Sequence, residues 1–172
     1  MNVTTRGIAR AADAVSHDRA AAYIASRQFE RPTLVLDPMR VAAQYDALAE
    51  GLSGARIHYA VKANPQPEII GTLVARGSRF DAASRAEIEL CLSQGAGACD
   101  ISFGNTVKKV SDIAFAYGVG IDLFAADAEE ELLKLAEHAP GARVYIRVIV
   151  EHSQADWPLS RKFGCSAAKV VP

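Results

Sequence analysis

The sequence predicts an α/β fold in which about five parallel strands alternate with crossover helices. Short apolar runs recur about every 20 residues after residue 55, amphipathic segments separate them, and Gly or Pro stands at most junctions. Strands that alternate with helices at this spacing run parallel. Two architectures fit. One is an open doubly wound sheet, and the other is a partial TIM-like (β/α)8 barrel, which needs ~250 residues and is truncated before closure at 172.

Composition and charge describe a globular protein. Of the 172 residues, half are apolar and 23% are charged, which excludes disordered and collagen-like classes. Nineteen basic residues face 20 acidic ones, so we expect no nucleic-acid partner. No apolar run reaches the ~18 residues that span a bilayer, so we expect no membrane partner. Cys91, Cys99 and Cys165 have no zinc-ligand spacing, and their sparse use predicts a cytoplasmic protein without disulfides or metal.

The first part of the chain predicts a helix, a strand and a second helix. Residues 8–27 are Ala-rich, with apolar residues at helical spacing. Residues 33–36 form a short apolar run and predict a strand. Asp37 and Pro38 then suit the N-cap and first position of a helix, and Gly54 lies just past its end.

From residue 56 onward, predicted strands and helices alternate. The strands are short apolar runs, as expected where both faces of a sheet are buried. Ser84 and Glu87 form a capping-box pattern, and Asp127 with Glu130 suits another helix start. The predicted strands are 56–61, 79–82, 101–103, 121–124 and 143–150. The predicted helices are 67–76, 84–94, 110–117 and 127–138, with a further one beginning at 166–171.

Three charged residues end or interrupt these buried strands. Lys62 ends the first, Asp81 lies within the second and Arg147 lies within the last. Burying an unpaired charge costs several kcal/mol, so each needs a partner or a ligand. Because the C-terminal ends of parallel strands carry the site in such folds, these charges predict a site for a polar, anionic ligand. A partly buried lysine there can attack a carbonyl group to form a Schiff base.

Each charge also has a structural interpretation. Lys62 could be an exposed rim lysine or pair with Asp81. Asp81 could cap the helix that begins near Ser84, and Arg147 could lie on the exposed face of an edge strand. The pattern alone leaves these alternatives open.

The segment around Lys62 reads Tyr-Ala-Val-Lys-Ala-Asn-Pro, and four further motifs follow it in order. They are Phe-Asp-Ala-Ala-Ser at 80–84 with Glu87, Ile-Ser-Phe-Gly-Asn-Thr-Val-Lys at 101–108, Arg147, and Leu-Ser-Arg-Lys-Phe-Gly at 159–164. Together these motifs resemble the N-terminal part of the ornithine/diaminopimelate/arginine decarboxylases. These are fold-type III pyridoxal 5'-phosphate (PLP) enzymes with an alanine-racemase-like barrel.

The resemblance implies an organisation and a set of roles. Residues 1–36 would be an N-terminal helix and strand, and residues 37–172 the N-terminal portion of a PLP-binding (β/α)8 barrel. Lys62 would be catalytic and would hold PLP covalently. Among the other cofactor-binding residues, Asp81 would lie beside the cofactor and its linkage, Arg147 would contact polar substituents of the ring, and Glu87 would line the pocket unless it only caps its helix.

The resemblance also implies a PLP-dependent carboxy-lyase that acts on a small amino acid. The run Asn-Thr-Val-Lys at 105–108 resembles the ornithine/lysine/arginine-type branch more than the diaminopimelate branch. Within that branch we expect an ornithine decarboxylase-like activity that yields putrescine and CO2. A racemase on the same barrel and a non-catalytic, partner-binding homologue are the alternatives. The resemblance further implies a homodimer at full length, and we expect the 172 residues alone to be inactive and poorly soluble.

Overall fold

The computed structural model describes residues 19–149 and 163–170. The chain divides into two compact units, residues 1–55 and residues 56–172. The sequence predicted a domain boundary between residues 36 and 37, ahead of the second helix.

The first unit contains two helices in its described part. Helix α1 covers residues 19–25, and the part of the predicted helix before residue 19 lies outside the described residues. Helix α2 is Pro38–Gly51, and Asp37 caps it as predicted, since Oδ1 accepts a 3.0 Å hydrogen bond from the Met39 N–H. The predicted strand at 33–36 is wrong. These residues have no regular secondary structure, since no neighbouring strand among the described residues of this unit completes a ladder with them.

The second unit is built on one sheet of five parallel strands in the order β1-β2-β3-β4-β5. The strands are β1 His58–Ala60, β2 Arg79–Ala82, β3 Ile101–Phe103, β4 Leu123–Ala126 and β5 Arg143–Ile146. Each strand pairs with the one before it in the chain. A doubly wound sheet reverses its strand order at a switch point, and this sheet does not. The arrangement is therefore that of a partial (β/α)8 barrel, as predicted.

Helices connect successive strands of the sheet. They are α3 Pro67–Val74, α4 Arg85–Ser93, α5 Val110–Gly118 and α6 Glu129–His138, with short 3-10 turns at Val61–Ala63, Ala98–Asp100 and Ala167–Lys169. Ser84 caps α4, its Oγ accepting a 3.3 Å hydrogen bond from the Glu87 N–H. The last turn falls within the helix predicted at 166–171, whose final residue lies outside the described chain.

Two predicted boundaries are wrong for identifiable reasons. Strand β4 begins at Leu123 rather than at 121, because the Ile121 N–H bonds to Ala116 O in the turn that ends α5. That turn needs Gly120, whose φ is +95°. Helix α6 is not capped by Asp127, because Asp127 Oδ2 instead accepts a 2.8 Å hydrogen bond from the Gly164 N–H.

The two faces of the sheet differ in chemistry, because side chains alternate along each strand. One face carries the buried aromatic residues Phe80, Phe103 and Phe124, and the rings of the last two lie 6.2 Å apart. The helices supply buried apolar side chains to this core, among them Ile70, Ile88, Ile113 and Leu135. The opposite face, which we call the polar face, carries Asp81 and Ser102 on adjacent strands.

Candidate active site

The polar face brings together side chains from four of the five strands. Asp81 on β2 is in register with Ser102 on β3, and by alternation His58 on β1 lies on the same face. Tyr145 on β5 is in register with Ala125 on β4, which places it on this face as well. The side chains therefore meet through the strand register and not through nearness in sequence.

Lys62 follows the end of β1 in the 3-10 turn Val61–Ala63. The Tyr59 hydroxyl fixes this turn by donating a 3.2 Å hydrogen bond to Asn64 O. Burial raises the pKa of that phenol. Lys62 itself is exposed, so the predicted partial burial is wrong for this chain. The reason is that Lys62 follows β1, an edge strand of the open sheet, where no residue of the described ranges covers its amine.

Asp81 is half-buried and is held by its neighbours on the polar face. Ser102 Oγ lies 3.2 Å from Asp81 Oδ1. On its other side the carboxylate occupies the space next to the α-carbon of Gly104, where an added β-carbon would overlap it. Within the described chain, no ion pair joins Asp81 to Lys62. The alternative that Asp81 caps α4 is also wrong, because Ser84 performs that role.

Arg147 and Tyr145 complete the polar face at its far edge. The Arg147 N–H continues the β4–β5 pairing by bonding to Ala126 O at 2.9 Å, and the exposed guanidinium carbon lies 5.4 Å from the centre of the Phe163 ring. Burial and the Asp81 charge raise the pKa of Tyr145 to about 12, and the Arg147 charge opposes this. Asp81 and Arg147 thus act electrostatically on the same phenol.

Glu87 lies behind Asp81 at the start of α4. Its Oε2 accepts a 2.7 Å hydrogen bond from the Ala83 N–H, one residue ahead of the Ser84 N-cap. This contact is a variant of the predicted capping box, in which the glutamate would bond the N-cap amide itself. The geometry supports the capping interpretation of Glu87.

A buried ion-pair network holds the loop that follows β3. Lys108 Nζ lies 2.9 Å from Glu131 Oε1 and donates hydrogen bonds to Asn105 O and Ala125 O at 2.9 and 2.6 Å. Lys134 Nζ lies 2.6 Å from the other oxygen of Glu131. Burial lowers the pKa of Lys108, whereas Glu131 favours its charged form. The network ties the loop to α6 and so fixes the end of β3.

Three residues of the polar face were not predicted as site residues: His58, Ser102 and Tyr145. Ser102 Oγ lies 3.4 Å from His58 Nδ1 as well as close to Asp81, and both Ser102 and Asp81 affect the pKa of the Tyr145 phenol. The alternation of side chains along a strand could have identified two of them, because His58 and Tyr145 stand an even number of residues before Lys62 and Arg147. Polar residues at the same alternation as a suspected site charge share its face.

The arrangement places an accessible amine, a carboxylate and a guanidinium at the C-terminal ends of parallel strands. An amine can bind an aldehyde covalently, and a guanidinium can bind an anionic oxygen. The polar face is therefore the part of the described chain best suited to bind a small, charged ligand.

Among the described residues, no helix has the length and apolar character needed to cross a membrane.

Comparison with known proteins identifies the family. Residues 39–172 match the family described as pyridoxal-dependent decarboxylase, pyridoxal binding domain. Ornithine decarboxylase of Nicotiana glauca is 38% identical over 144 residues, which are 83% of this chain and 33% of that protein. The lysine/ornithine decarboxylase of Selenomonas ruminantium is 33% identical over 146 residues, 85% of this chain and 37% of that protein. The chain thus spans about a third of the length of these relatives.

Solved structures agree with the sequence relatives. The lysine/ornithine decarboxylase of Vibrio vulnificus, complexed with putrescine, superposes with a TM-score of 0.74 at 30% identity, over 92% of this chain and 40% of that one. The arginine decarboxylase of Paramecium bursaria Chlorella virus gives 0.73 at 28% identity, over 77% of this chain and 37% of that one. These matches confirm the predicted family, the barrel-type fold and, at the level of the family, PLP as the cofactor. The chain belongs to the pyridoxal-dependent decarboxylases that act on basic amino acids, and residues 39–172 belong to their pyridoxal-binding domain.

Proposed function

We propose that the complete protein is a PLP-dependent carboxy-lyase that converts ornithine to putrescine and CO2. The observation that carries this proposal is the position of Lys62, Asp81 and Arg147 at the C-terminal ends of strands in a sheet of this family. The names of the relatives support a basic amino acid as the substrate. We place ornithine first because relatives from plants and animals bear that name.

The residues of the polar face fit PLP chemically. The cofactor carries an aldehyde, anionic oxygens and a ring that becomes cationic. Lys62 offers an exposed amine for the aldehyde, Arg147 a cation for an anionic oxygen, and Asp81 an anion for a cationic nitrogen. Gly104 leaves the space in which the Asp81 carboxylate lies.

The chain's own residues would divide the work as follows. Bound PLP supplies an electron-accepting ring for the electron pair left when the carboxylate departs. Lys62 would hold the cofactor covalently, and its amine would be released when the substrate amine takes its place on the same carbon. Arg147 would orient the ring through its oxygen, and Asp81 would stabilise positive charge beside it. Glu87 would support Asp81 by fixing the start of α4, and it would line the pocket only through its Oε1 atom.

A cytoplasmic homodimer is the proposed state of the complete protein, and we propose that the 172 residues by themselves lack activity. The five-stranded sheet supports the second proposal, because an open sheet leaves Lys62 in contact with solvent. Sedimentation of the complete protein tests the dimer, and release of CO2 by the 172-residue chain would refute the proposed inactivity.

Borohydride trapping tests the role of Lys62. The complete protein is incubated with PLP, reduced and digested, and we expect a pyridoxyl group on the peptide that contains Lys62. Lys62→Ala should lose the label and the visible absorbance of bound PLP. Lys109→Ala, which replaces another exposed lysine, should keep both. Labelling elsewhere would remove Lys62 from the proposed function.

A substrate panel tests the reaction. Release of CO2 is measured with ornithine, lysine, arginine and diaminopimelate at equal concentrations. We expect the highest kcat/KM with ornithine. A preference for lysine would keep the reaction and change the substrate, whereas loss of the α-proton without CO2 would favour a racemase. Glu87→Gln keeps an acceptor for the Ala83 N–H, so unchanged PLP affinity in this variant would assign Glu87 to capping alone.

A further inference from the structure

Three further polar side chains of the polar face lie around Asp81 and have no part in the proposed function. They are His58 on β1, Ser102 on β3 and Tyr145 on β5. We call these residues together with Asp81 the Asp81 cluster. They come from four strands, and Tyr145 faces Ser102 and Asp81 across β4, where the residue in register is the small, buried Ala125.

Ser102 connects the members of the cluster. It is 3% exposed, and its Oγ lies 3.2 Å from Asp81 Oδ1, 3.2 Å from Phe80 O and 3.4 Å from His58 Nδ1. A hydroxyl has one proton to donate and can also accept. When His58 carries its proton on Nδ1, it donates to Ser102 Oγ, and the Ser102 proton is then directed to Asp81 or to the Phe80 carbonyl.

Tyr145 supplies a second hydroxyl to the carboxylate. A phenol near an ionised carboxylate can donate its proton to it, and burial together with the Asp81 charge raises the pKa of Tyr145, which keeps that proton in place. Ser102 Oγ lies 3.2 Å from Asp81 Oδ1, and the carboxylate also occupies the space next to the α-carbon of Gly104. Few orientations of Asp81 satisfy all of these neighbours.

We propose that Ser102 and Tyr145 are positioning residues that hold the Asp81 carboxylate in one orientation within the PLP site, with His58 directing the Ser102 proton. This proposal rests on the proposed function, because it gives the fixed carboxylate a purpose. A preorganised charge stabilises a cationic nitrogen more than a mobile one does, since it needs no reorganisation.

Removing either hydroxyl should therefore weaken PLP binding without abolishing it. In the complete protein, Tyr145→Phe and Ser102→Ala should each raise the Kd for PLP about tenfold, the value of one hydrogen bond to a charged group. The visible absorbance of lysine-bound PLP depends on whether the nitrogen that joins Lys62 to PLP is protonated. In these variants the pKa of that nitrogen should be lower, so the midpoint of the absorbance change should move to a lower pH. The other titratable or charged groups that face the cluster, His58 and Arg147, are unchanged in these variants.

Three controls separate positioning from a general loss of structure. Tyr117→Phe also removes a phenol hydrogen bond, the 2.9 Å bond to Pro140 O, and should leave PLP binding unchanged. Ser102→Thr retains the hydroxyl and should restore binding. In an Asp81→Asn background, Tyr145→Phe should have little further effect, because the charge that the phenol holds is already gone.

A measurement without PLP tests the contact itself. The Tyr145 phenol is followed by NMR in a chain labelled at the tyrosine ring carbons, with Tyr145→Phe identifying its signal. Asp81→Asn should move the pKa of Tyr145 from about 12 towards its ordinary value of 10.0. An unchanged pKa would overturn the proposal even if a variant failed to bind the cofactor.

The outcomes distinguish this proposal from the one on which it rests. If borohydride labels Lys62 while Tyr145→Phe and Ser102→Ala bind PLP with the wild-type Kd and pH profile, the positioning role is overturned and the proposed function stands. If Lys62 is not labelled, both fail. Weakened binding that Ser102→Thr restores and that disappears in the Asp81→Asn background supports the positioning role.

Discussion

At the scale of single residues, the site depends on close approach between side chains of different strands. Gly104 shows this directly, because only the absence of a β-carbon leaves room for the Asp81 carboxylate. The atom that an added methyl group would meet belongs to the end of a side chain and can move. A methyl group at position 104 therefore acts on the orientation of Asp81 more than on the fold.

Gly104→Ala should displace Asp81 from Ser102 and Tyr145. With the charge moved away, the pKa of Tyr145 should fall from about 12 towards 10.0, which tyrosine NMR measures. Gly118→Ala is the matched control, because a β-carbon there meets no other atom within 4 Å. A crystal structure of Gly104→Ala with Asp81 in its original position would contradict this expectation.

The three cysteines should differ in reactivity. Cys91 is buried, and burial together with the nearby Glu87 charge raises the pKa of its thiol to about 12, whereas Cys99 is exposed and Cys165 is half-buried. Because the thiolate is the reactive form, we expect iodoacetamide at pH 8 to modify Cys99 and Cys165 first. Mass spectrometry over time checks the order, and modification of Cys91 before unfolding would contradict it.

The sequence predicted the charged residues of the site but not its neutral ones. Lys62, Asp81 and Arg147 stand out because a charge in an apolar run has few explanations. Ser102 and Tyr145 are common on strands, and their importance comes from contacts with Asp81 on another strand. Those contacts depend on the pairing register and on the small Ala125 between them, which one sequence does not specify.

At the scale of elements, loops are fixed to helices by buried polar contacts. The Lys108 and Glu131 side chains are 0% and 5% exposed, so each charge depends on the other. Helix starts that use a local cap, such as those at Asp37 and Ser84, were predictable from sequence. The start of β4 was not, because the Ile121 N–H is used by the turn that ends α5.

Breaking this buried pair should strongly destabilise the chain. Glu131→Gln should lower the free energy of unfolding by about 3–5 kcal/mol, since it leaves the buried Lys108 charge without its carboxylate. The exposed Arg85–Glu89 pair is the control, and Glu89→Gln should cost under about 0.5 kcal/mol. Urea denaturation measures both, and equal costs would contradict the prediction.

At the scale of the whole molecule, the five strands form an open sheet with β1 and β5 at its edges. An unpaired edge is a template for pairing with another chain. The strand order distinguished a partial barrel from a doubly wound sheet, which the alternating pattern in the sequence could not do. Both architectures share the same succession of strands and helices and differ only in which strands become neighbours.

The open edge at β5 should cause self-association. Val144 lies within β5 and is exposed, so Val144→Lys should reduce the association of the 172-residue chain at increasing concentration, because a charge there opposes pairing. Sedimentation velocity checks this expectation. Val107→Lys, a change at an exposed valine away from the edge strands, is the control. If both variants associate like the unmodified chain, β5 is not the contact.

The stability of the molecule should fall in alkaline solution. Folding raises the pKa of Tyr145 from 10.0 to about 12, so the unfolded chain loses this proton first and stability is lost as the pH rises from 10 to 12. Folding lowers the pKa of Lys108, so this residue makes the stability rise with pH and opposes the effect of Tyr145. Comparison of Tyr145→Phe with the unmodified chain isolates the contribution of the phenol. Urea unfolding between pH 9 and 11 should show that the free energy of unfolding falls less steeply with pH in the variant.

The strand order has a consequence for biosynthesis. From β2 onward, every strand finds a partner that the ribosome has already released, and none of these pairings waits for a distant part of the polypeptide. The sheet can therefore gain one strand at a time while translation continues, and each new helix can pack against the aromatic side chains of the strands already formed.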